Sequence, residues 1–339
     1  MKELGWCSTL NKRSRVVITT KIHEDGIKLL EQEAEIVFPG KPLNLLTTKD
    51  FIEIGKNSDG MIVVTNVEKI TREVIEGLPK LRIIARHGVG YDNVDVKAAS
   101  EMGIYVTTAP VLDETVADQA LALLLCLARN ICKGHNYVMS KEWKVRDPYK
   151  FMGTDVWGKT AGIIGLGRIG TRIAERARGF KMKILYYDIM RKTDLESQLG
   201  VEHKPLSELF KESDIIFIAS PLTNETRGMI GEKEFALMKR SALLINVARG
   251  PIVNHDALVR ALRERQIAGA GLDVFDREPV PLDEPLLILD NVVLTPHLAG
   301  NTIECRRRMA IAVGEEVLRV LHGEKPKYAV NPEIKVIRS

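Results

Sequence analysis

The stretch GIIGLGRIG, residues 162–170, decides how the rest of the chain is read. It follows an apolar run, TAGII, and precedes an amphipathic segment, TRIAERARGF; a second apolar run, KILYYD, then ends in Asp188, 18 residues after Gly170. Each part of this pattern has a physical job. Gly165 permits a tight turn, Gly167 lets the backbone approach a pyrophosphate, and Gly170 lets helix and strand pack closely. The amides of Arg168 and Ile169 open a helix, where the unpaired N–H groups favour phosphate charge. A lone glycine triplet is a weak signal, but strand, turn, helix and acid in this order predict a dinucleotide site. Asp188 is expected to take the adenosine ribose hydroxyls. Its carboxylate repels a 2′-phosphate, so NAD is favoured over NADP, although Arg191 and Lys192 lie close enough to tolerate one.

Such a unit usually opens its domain, yet here about 160 residues precede it. Within them short apolar runs alternate with amphipathic stretches: RVVITT (15–20), EIVF (35–38), GMIVV (60–64), LRIIA (81–85) and IYV (104–106), separated by segments such as HEDGIKLLEQE, TREVIEGL and DVKAASEMG. That alternation predicts a parallel sheet with both faces covered. Residues 115–132, TVADQALALLLCLARNIC, are apolar on most faces and read as one helix buried between two bodies. Residues 140–159 read as an irregular connection. Six further runs follow, at 160–165, 183–188, 214–220, 242–247, 268–274 and 291–295, as in a doubly wound nucleotide-binding domain. A final helix over roughly 302–322 has Asn301 or Thr302 as its cap. The expected fold is α/β with two doubly wound parallel-sheet domains. A flavodoxin-like domain at 15–110 is completed by 302–332, and a Rossmann domain at 111–301 is inserted into it. Helices near 112–133 and 302–322 would form the hinge, and residues 1–14 a loose polar tail.

Composition excludes several classes. The 339 residues are 45% hydrophobic and 28% charged, and the net charge of +4 is spread along the chain rather than gathered into a stripe. Nucleic acid is therefore not an expected partner. The longest apolar run, Ala120–Ala128, is too short to span a bilayer, and the N-terminus lacks the apolar core of a signal peptide, so no membrane is expected either. Cys7, Cys126, Cys132 and Cys305 form no CxxC pair and read as reduced thiols of a cytoplasmic protein. The histidines are scattered, so no metal site is expected.

Ligands of open α/β sheets sit beyond the carboxyl ends of the strands. After ALLINV comes Ala248-Arg249-Gly250; after AGAGL come Asp273 and then Glu278; after NVVLT come Pro296 and His297. An Arg, a Glu and a His thus emerge on the edge that carries the glycine turn. Each alone has an ordinary structural reading, as a surface ion pair, a solvated loop acid or a satisfied histidine. Together they suit hydride transfer to a 2-oxo acid. Arg249 holds the carboxylate and polarises the carbonyl through its fixed fork of donors. His297 exchanges a proton with the alkoxide. Glu278, if bonded to His297, favours the imidazolium. Asp273 is expected to accept from the nicotinamide amide.

At these residues the chain resembles the D-isomer-specific 2-hydroxyacid dehydrogenases, a family that contains glyoxylate/hydroxypyruvate reductases and phosphoglycerate dehydrogenases. The resemblance runs from about residue 15 to 332 and rests on HGVGYDNVD (87–95), GIIGLGRIG, NVARG (246–250), GLDVFDREP (271–279) and PHLAG (296–300). It implies catalysis by Arg249, Glu278 and His297. It also implies cofactor contacts at Arg168, Ile169, Asp188, Val247, Ala248, Arg249, Asp273 and from His297 to Gly300, and a homodimer joined through the nucleotide domains. It further implies that Gly88, Val89 and Gly90 offer main-chain amides to the substrate carboxylate, from a substrate domain that closes over the nicotinamide and excludes water.

Phosphoglycerate dehydrogenases usually carry a basic residue near Val64–Asn66, where this chain reads IVVTNVEKI; Arg86 and Lys69 are nearby but ambiguous. A small unphosphorylated acid such as glyoxylate or hydroxypyruvate is therefore expected, with phosphoglycerate dehydrogenase as the alternative. Phosphite dehydrogenases carry Lys where Val89 stands and rank low. A frequent Asn before Pro110 is replaced in VTTAP, and a frequent His or Glu in the next helix reads Asp118-Gln119. The rival from another class is a NAD(H)-sensing corepressor, which shares the fold and the triad but reduces 2-oxo acids very slowly.

Overall fold

Two separate parallel sheets organise the computed structural model, which describes residues 13–334. The chain divides into two compact units, one holding the residues up to Leu112 together with those from Thr302 on, the other Asp113–Asn301.

In the first unit, β1 (Ser14–Ile18), β2 (Ala34–Val37), β3 (Gly60–Val63), β4 (Ile83–Arg86) and β5 (Tyr105–Thr107) lie in the order β2-β1-β3-β4-β5. Val16 is level with Gly60 and Gly60 with Ile83, so β1, β3 and β4 run in register through the centre. All of β3 and β4 is buried, which is why they read as apolar runs rather than alternating ones, with Arg86 alone charged at the end of β4. Helices α1 (Glu24–Glu31), α2 (Thr48–Gly55), α3 (Arg72–Glu76) and α4 (Val96–Glu101) start at side-chain caps. Thr47 and Asp50 form a reciprocal capping box, and Asp95 accepts from the Ala98 amide at 2.8 Å. The late helix α12 (Ile303–Leu321), capped by Thr302, packs on α1, β3 and β4. A Cβ on Gly26 would lie 2.5 Å from the Ala310 carbonyl oxygen, so α1 meets α12 backbone to backbone. Buried Glu316 then accepts from the Lys327 and Tyr328 amides and turns the chain back, so that Val330 donates to Val106.

The second unit holds β6 (Thr160–Ile164), β7 (Lys183–Tyr187), β8 (Glu202–His203), β9 (Ile215–Ile218), β10 (Leu243–Asn246), β11 (Gly269–Leu272) and β12 (Val292–Leu294), with α8 (Thr193–Leu199), α9 (Leu206–Glu212), α10 (Glu232–Leu237) and α11 (His255–Arg263) among its connections. They lie in the order β12-β11-β10-β9-β6-β7-β8, all parallel, and the order reverses beside β6. This is the doubly wound arrangement expected from the spacing, with one strand more. The sequence reading missed β8, a two-residue polar edge strand with no apolar run to announce it.

The helix expected over 115–132 is two helices. In order along the chain they are α5 (Asp113–Ala128) and α6 (Ile131–Met139), bent by 64° at Asn130, which adopts a left-handed conformation (φ 52, ψ 35). The apolarity of α5 has a cause within this unit. One face covers β10, β11 and β12, and another meets α7 (Arg168–Gly179). A Cβ on Gly271 would sit 3.1 Å from that of Leu123. No single helix among the described residues is long and apolar enough to cross a membrane. Of the tail expected at 1–14, residues 1–12 lie outside the described residues, whereas Ser14 already belongs to β1 and Arg13 bonds the Glu31 and Gln32 carbonyls.

Candidate active site

The glycine turn leaves β6 through Gly165 at φ +92, a backbone that L side chains rarely adopt. A Cβ there would lie 2.8 Å from Ser220 Cα, and one on Gly170 would lie 2.0 Å from the Gly165 carbonyl oxygen. Around Gly167 the space is open. The turn is tied to the end of β7, for Gly165 N–H donates to Tyr187 O (2.8 Å) and Leu166 N–H to Asp188 Oδ2 (2.9 Å). The helix α7 starts with no side-chain cap, and no hydrogen bond among the described residues engages the amides of Arg168 and Ile169. Open space at Gly167 beside unpartnered helix amides is a cradle that fits a pyrophosphate. Half-buried Asp188 also accepts from Met190 N–H at 3.1 Å. Arg191 grips Glu196 through two bonds of 2.9 Å, so its guanidinium is already paired.

Three strand ends meet beyond β10, β11 and β12. The Asn246 side chain closes the first turn, accepting from Ala248 N–H (3.0 Å) and donating to Arg249 O (2.9 Å). A Cβ on Gly250 would fall 2.0 Å from Phe275 C, so this turn is seated directly on the one after β11. Val247 is buried, and Arg249 donates from Nη1 to Ala248 O. After β12 the chain turns through His297 at φ 54, held by its N–H to Asp273 O at 3.0 Å. Histidine tolerates this left-handed region better than most residues. Its Nδ1 pairs with Glu278 Oε2 at 2.8 Å, while Glu278 Oε1 accepts from Phe275 N–H at 3.0 Å. No partner engages His297 Nε2 among the described residues, so that nitrogen is free for chemistry. Gly300 lies half-buried just past, in the turn where Asn301 donates to Leu298 O.

Burial on its own raises the Glu278 carboxyl, but the bond from His297, then its charge, the Phe275 amide and the Arg249 charge outweigh it and lower the pKa below 4.5. Ionised Glu278 therefore contributes stability that is complete above its unfolded value and is lost as pH falls through the lower folded one. The unfolding midpoints of the wild type and Glu278→Gln should differ at pH 7 and converge only as pH falls well below 4.5. Parallel curves through that range would disprove the ion pair.

Asp273 stands directly after β11. It is fully buried, and its carboxylate is committed internally, Oδ1 to the Thr295 hydroxyl (2.5 Å) and Leu298 N–H (2.8 Å), Oδ2 to Ala299 N–H (2.8 Å). It therefore braces the turn that carries His297. Burial pushes its pKa up despite these three donors. Gln119 donates to Thr295 Oγ1 at 3.2 Å and extends the brace to α5. The sequence reading missed Asn246, Thr295 and the role of Gln119. All three are uncharged, and only the sheet order brings them together.

In the first unit the loop after β4 exposes main chain. Gly88 is fixed by Ala109 N–H to its oxygen, whereas no hydrogen bond among the described residues engages the amides of Val89 and Gly90. Arg86, at 3% exposure, builds this loop, donating to Gly90 O (2.9 Å), Val63 O (2.7 Å), Thr65 O (2.8 Å) and Asn66 Oδ1 (2.7 Å). The ambiguity about Arg86 is thereby reduced, for its donors are spent inside the protein. Burial, then the charges of Arg306 and Arg86, lower the neighbouring His87 to a pKa of about 4, so its ring is neutral at pH 7.

Known proteins match the chain over most of its length. Residues 121–299 match the family model "D-isomer specific 2-hydroxyacid dehydrogenase, NAD binding domain". The chain is 48% identical over 335 residues to a glyoxylate reductase of Pyrococcus horikoshii, covering 96% of this chain and 98% of that one. Among solved structures, an NADPH-dependent glyoxylate/hydroxypyruvate reductase from Sinorhizobium meliloti, in complex with NADP and malonate, superposes with a TM-score of 0.84 at 31% identity, covering 96% and 99%. A D-lactate dehydrogenase from Aquifex aeolicus, complexed with NAD and lactic acid, gives a TM-score of 0.83 at 30% identity, covering 93% and 99%. The chain belongs to the D-isomer-specific 2-hydroxyacid dehydrogenase family. It is a dehydrogenase that uses a nicotinamide cofactor on a small 2-oxo or 2-hydroxy acid.

Proposed function

We propose that this enzyme interconverts glyoxylate or hydroxypyruvate with the corresponding 2-hydroxy acid, using NAD(H), through Arg249, Glu278 and His297. The observation that carries this reading is the His297–Glu278 pair at 2.8 Å, which leaves Nε2 without a partner among the described residues on the sheet edge that also carries Arg249. The nicotinamide, when bound, supplies or accepts the hydride at C2 of the acid. The protein manages charge. The Arg249 guanidinium holds the carboxylate and draws electron density from the carbonyl. His297 delivers a proton from Nε2 to the developing alkoxide, and in the reverse direction Nε2 takes it back. Glu278 on Nδ1 fixes the ring and offsets the imidazolium charge. The free amides of Val89 and Gly90, with Gly88 fixed beside them, suit the substrate carboxylate. Val247, Ala248 and Gly300 belong to the main chain expected to line the cofactor.

An unphosphorylated acid is supported by the absence of a basic side chain at 64–66 and by the full occupation of Arg86. The first experiment is NADH oxidation with glyoxylate, hydroxypyruvate, phosphohydroxypyruvate and pyruvate, repeated with NADPH. Fast turnover on either of the first two acids is expected. A preference for phosphohydroxypyruvate would overturn the substrate assignment, and NADH binding without turnover would point to the sensor.

NAD is supported by Asp188 at the end of β7 and by the pairing of Arg191 with Glu196. Asp188→Ser should shift the ratio of kcat/KM for NADPH over NADH upward by about 10-fold or more, the worth of one removed charge repulsion. An unchanged ratio would remove Asp188 from the ribose site.

A homodimer is supported by the segment 131–155. It contains no buried residue, yet it exposes Ile131, Val138, Met139, Trp143, Val145, Tyr149 and Met152. So much apolar surface on one arm is costly in water. Light scattering should give twice the chain mass, and Trp143→Glu combined with Val145→Asp should halve it. A monomeric wild type at micromolar concentration would end this reading.

A further inference from the structure

The break between α5 and α6 brings together two sulfurs to which neither the fold nor the chemistry above gives a use. Cys126 lies in the last turn of α5 and Cys132 is the second residue of α6. The left-handed Asn130 and the 64° bend between the helices place their Sγ atoms 2.9 Å apart. A disulfide needs about 2.05 Å, so a side-chain adjustment under about 1 Å would close the bond. Cys132 is exposed and Cys126 partly so, whereas Cys305 is buried within the first unit.

The elbow is also the anchor of the exposed arm 131–155. Asn130 Nδ2 donates to Met152 O at 3.0 Å and Thr154 N–H to Ala128 O at 2.8 Å, so both ends of the arm return to this point. A Cβ on Gly153 would lie only 2.2 Å from Ala128 O, which shows how tightly the returning chain is seated. A covalent link across the elbow would fix the base from which the arm projects.

We propose that Cys126 and Cys132 form a reversible disulfide that staples the elbow between α5 and α6. The oxidant is a low-molecular-weight disulfide. The Cys132 thiolate attacks one of its sulfurs, forming a mixed disulfide and releasing one small thiol. Cys126 then loses its proton and attacks the Cys132 sulfur, breaking the mixed bond and releasing the second small thiol. Two protein thiols are oxidised and one small disulfide is reduced to two thiols. Burial, and then the bond with Cys132, push the Cys126 thiol up to about 11. The resolving step therefore speeds up as pH rises from neutrality, because the thiolate is the nucleophile.

The test is titration of the whole native protein with glutathione disulfide at pH 7 and pH 9, read by intact mass, peptide mapping and thiol count after denaturation. The count should fall from the four cysteines of the sequence to two, with a loss of two hydrogens and a 126–132 cross-linked peptide. The reaction should go faster at pH 9, and dithiothreitol should reverse it. Cys126→Ser should stop at a glutathione adduct on Cys132. The oxidised wild type should melt a few degrees above the reduced form, a difference absent from Cys126→Ser and Cys132→Ser. A stable glutathione adduct on wild-type Cys132 at pH 9, or any pairing other than 126–132, would overturn the proposal.

Discussion

Replacing His297 with alanine should lower kcat by about 10²–10⁴-fold, the usual worth of a positioned general acid–base group. The dissociation constant for NADH should move by no more than about threefold, because the lost interaction is one made with the reacting oxygen. The prediction separates chemistry from folding because of how the residue is held. The backbone at φ 54 is fixed by its own N–H to Asp273 O, a bond that alanine retains. His297→Asn is a second test, since asparagine accepts the left-handed backbone but has no titrating nitrogen. Both variants should be slow and both should bind NADH. Turnover above a tenth of wild type in either would assign the proton to another group.

Removing the Asp273 carboxylate should damage both stability and rate, although nothing in its placement touches a reacting atom. Asp273→Ala leaves the Leu298 and Ala299 amides and the Thr295 hydroxyl without their acceptor. Unsatisfied buried donors cost about 1–3 kcal/mol each, offset in part by relief of the buried charge and by water reaching the turn; a net loss of about 2–4 kcal/mol is expected. That corresponds to a melting point lower by roughly 5–15 °C. The released turn no longer aims His297, so kcat should fall by about 100-fold or more. Asp273→Asn should be intermediate. Its oxygen can still accept, but its NH₂ then faces one of the same donors. Melting within 2 °C of wild type, with half of kcat retained, would show that the turn holds itself.

Charge and glycine marked the strand-end edge of the second unit in the sequence. Arg249, Glu278 and His297 stood out because charged residues just after buried apolar runs need a reason, and the glycine turn had a spacing with a mechanism. Strands β3, β4, β9 and β10 were readable because burial on both faces leaves apolar runs, interrupted only where β4 ends in Arg86 and β10 in Asn246. The features that escaped had weaker signatures. The strand β8 is a pair of polar residues whose pairing is decided by β7. The break at Asn130 depends on one left-handed residue inside a pattern that otherwise continues as a helix. The bracing task of Asp273 was not legible, because a sequence does not show that an acid is enclosed by the turn after the next strand. Thr295 reaches the side chains of Asp273 and Gln119, and Arg86 reaches the Val63 and Thr65 carbonyls, all distant in sequence, whereas Asn246 closes its own turn through Ala248 and Arg249 with an uncharged side chain that stands out from nothing around it.

The return of α12 to the first unit sets the order in which the protein can be made. Strands β1–β5 leave the ribosome first, yet the helix that meets α1 at Gly26 and covers β3 and β4 follows only after the whole of Asp113–Asn301 has been synthesised. The unit translated second therefore has all its parts before the unit translated first. During that interval the apolar face awaiting α12 is a natural client surface for chaperones, and a nascent chain halted before Thr302 should carry a protease-resistant second unit behind a protease-sensitive first one.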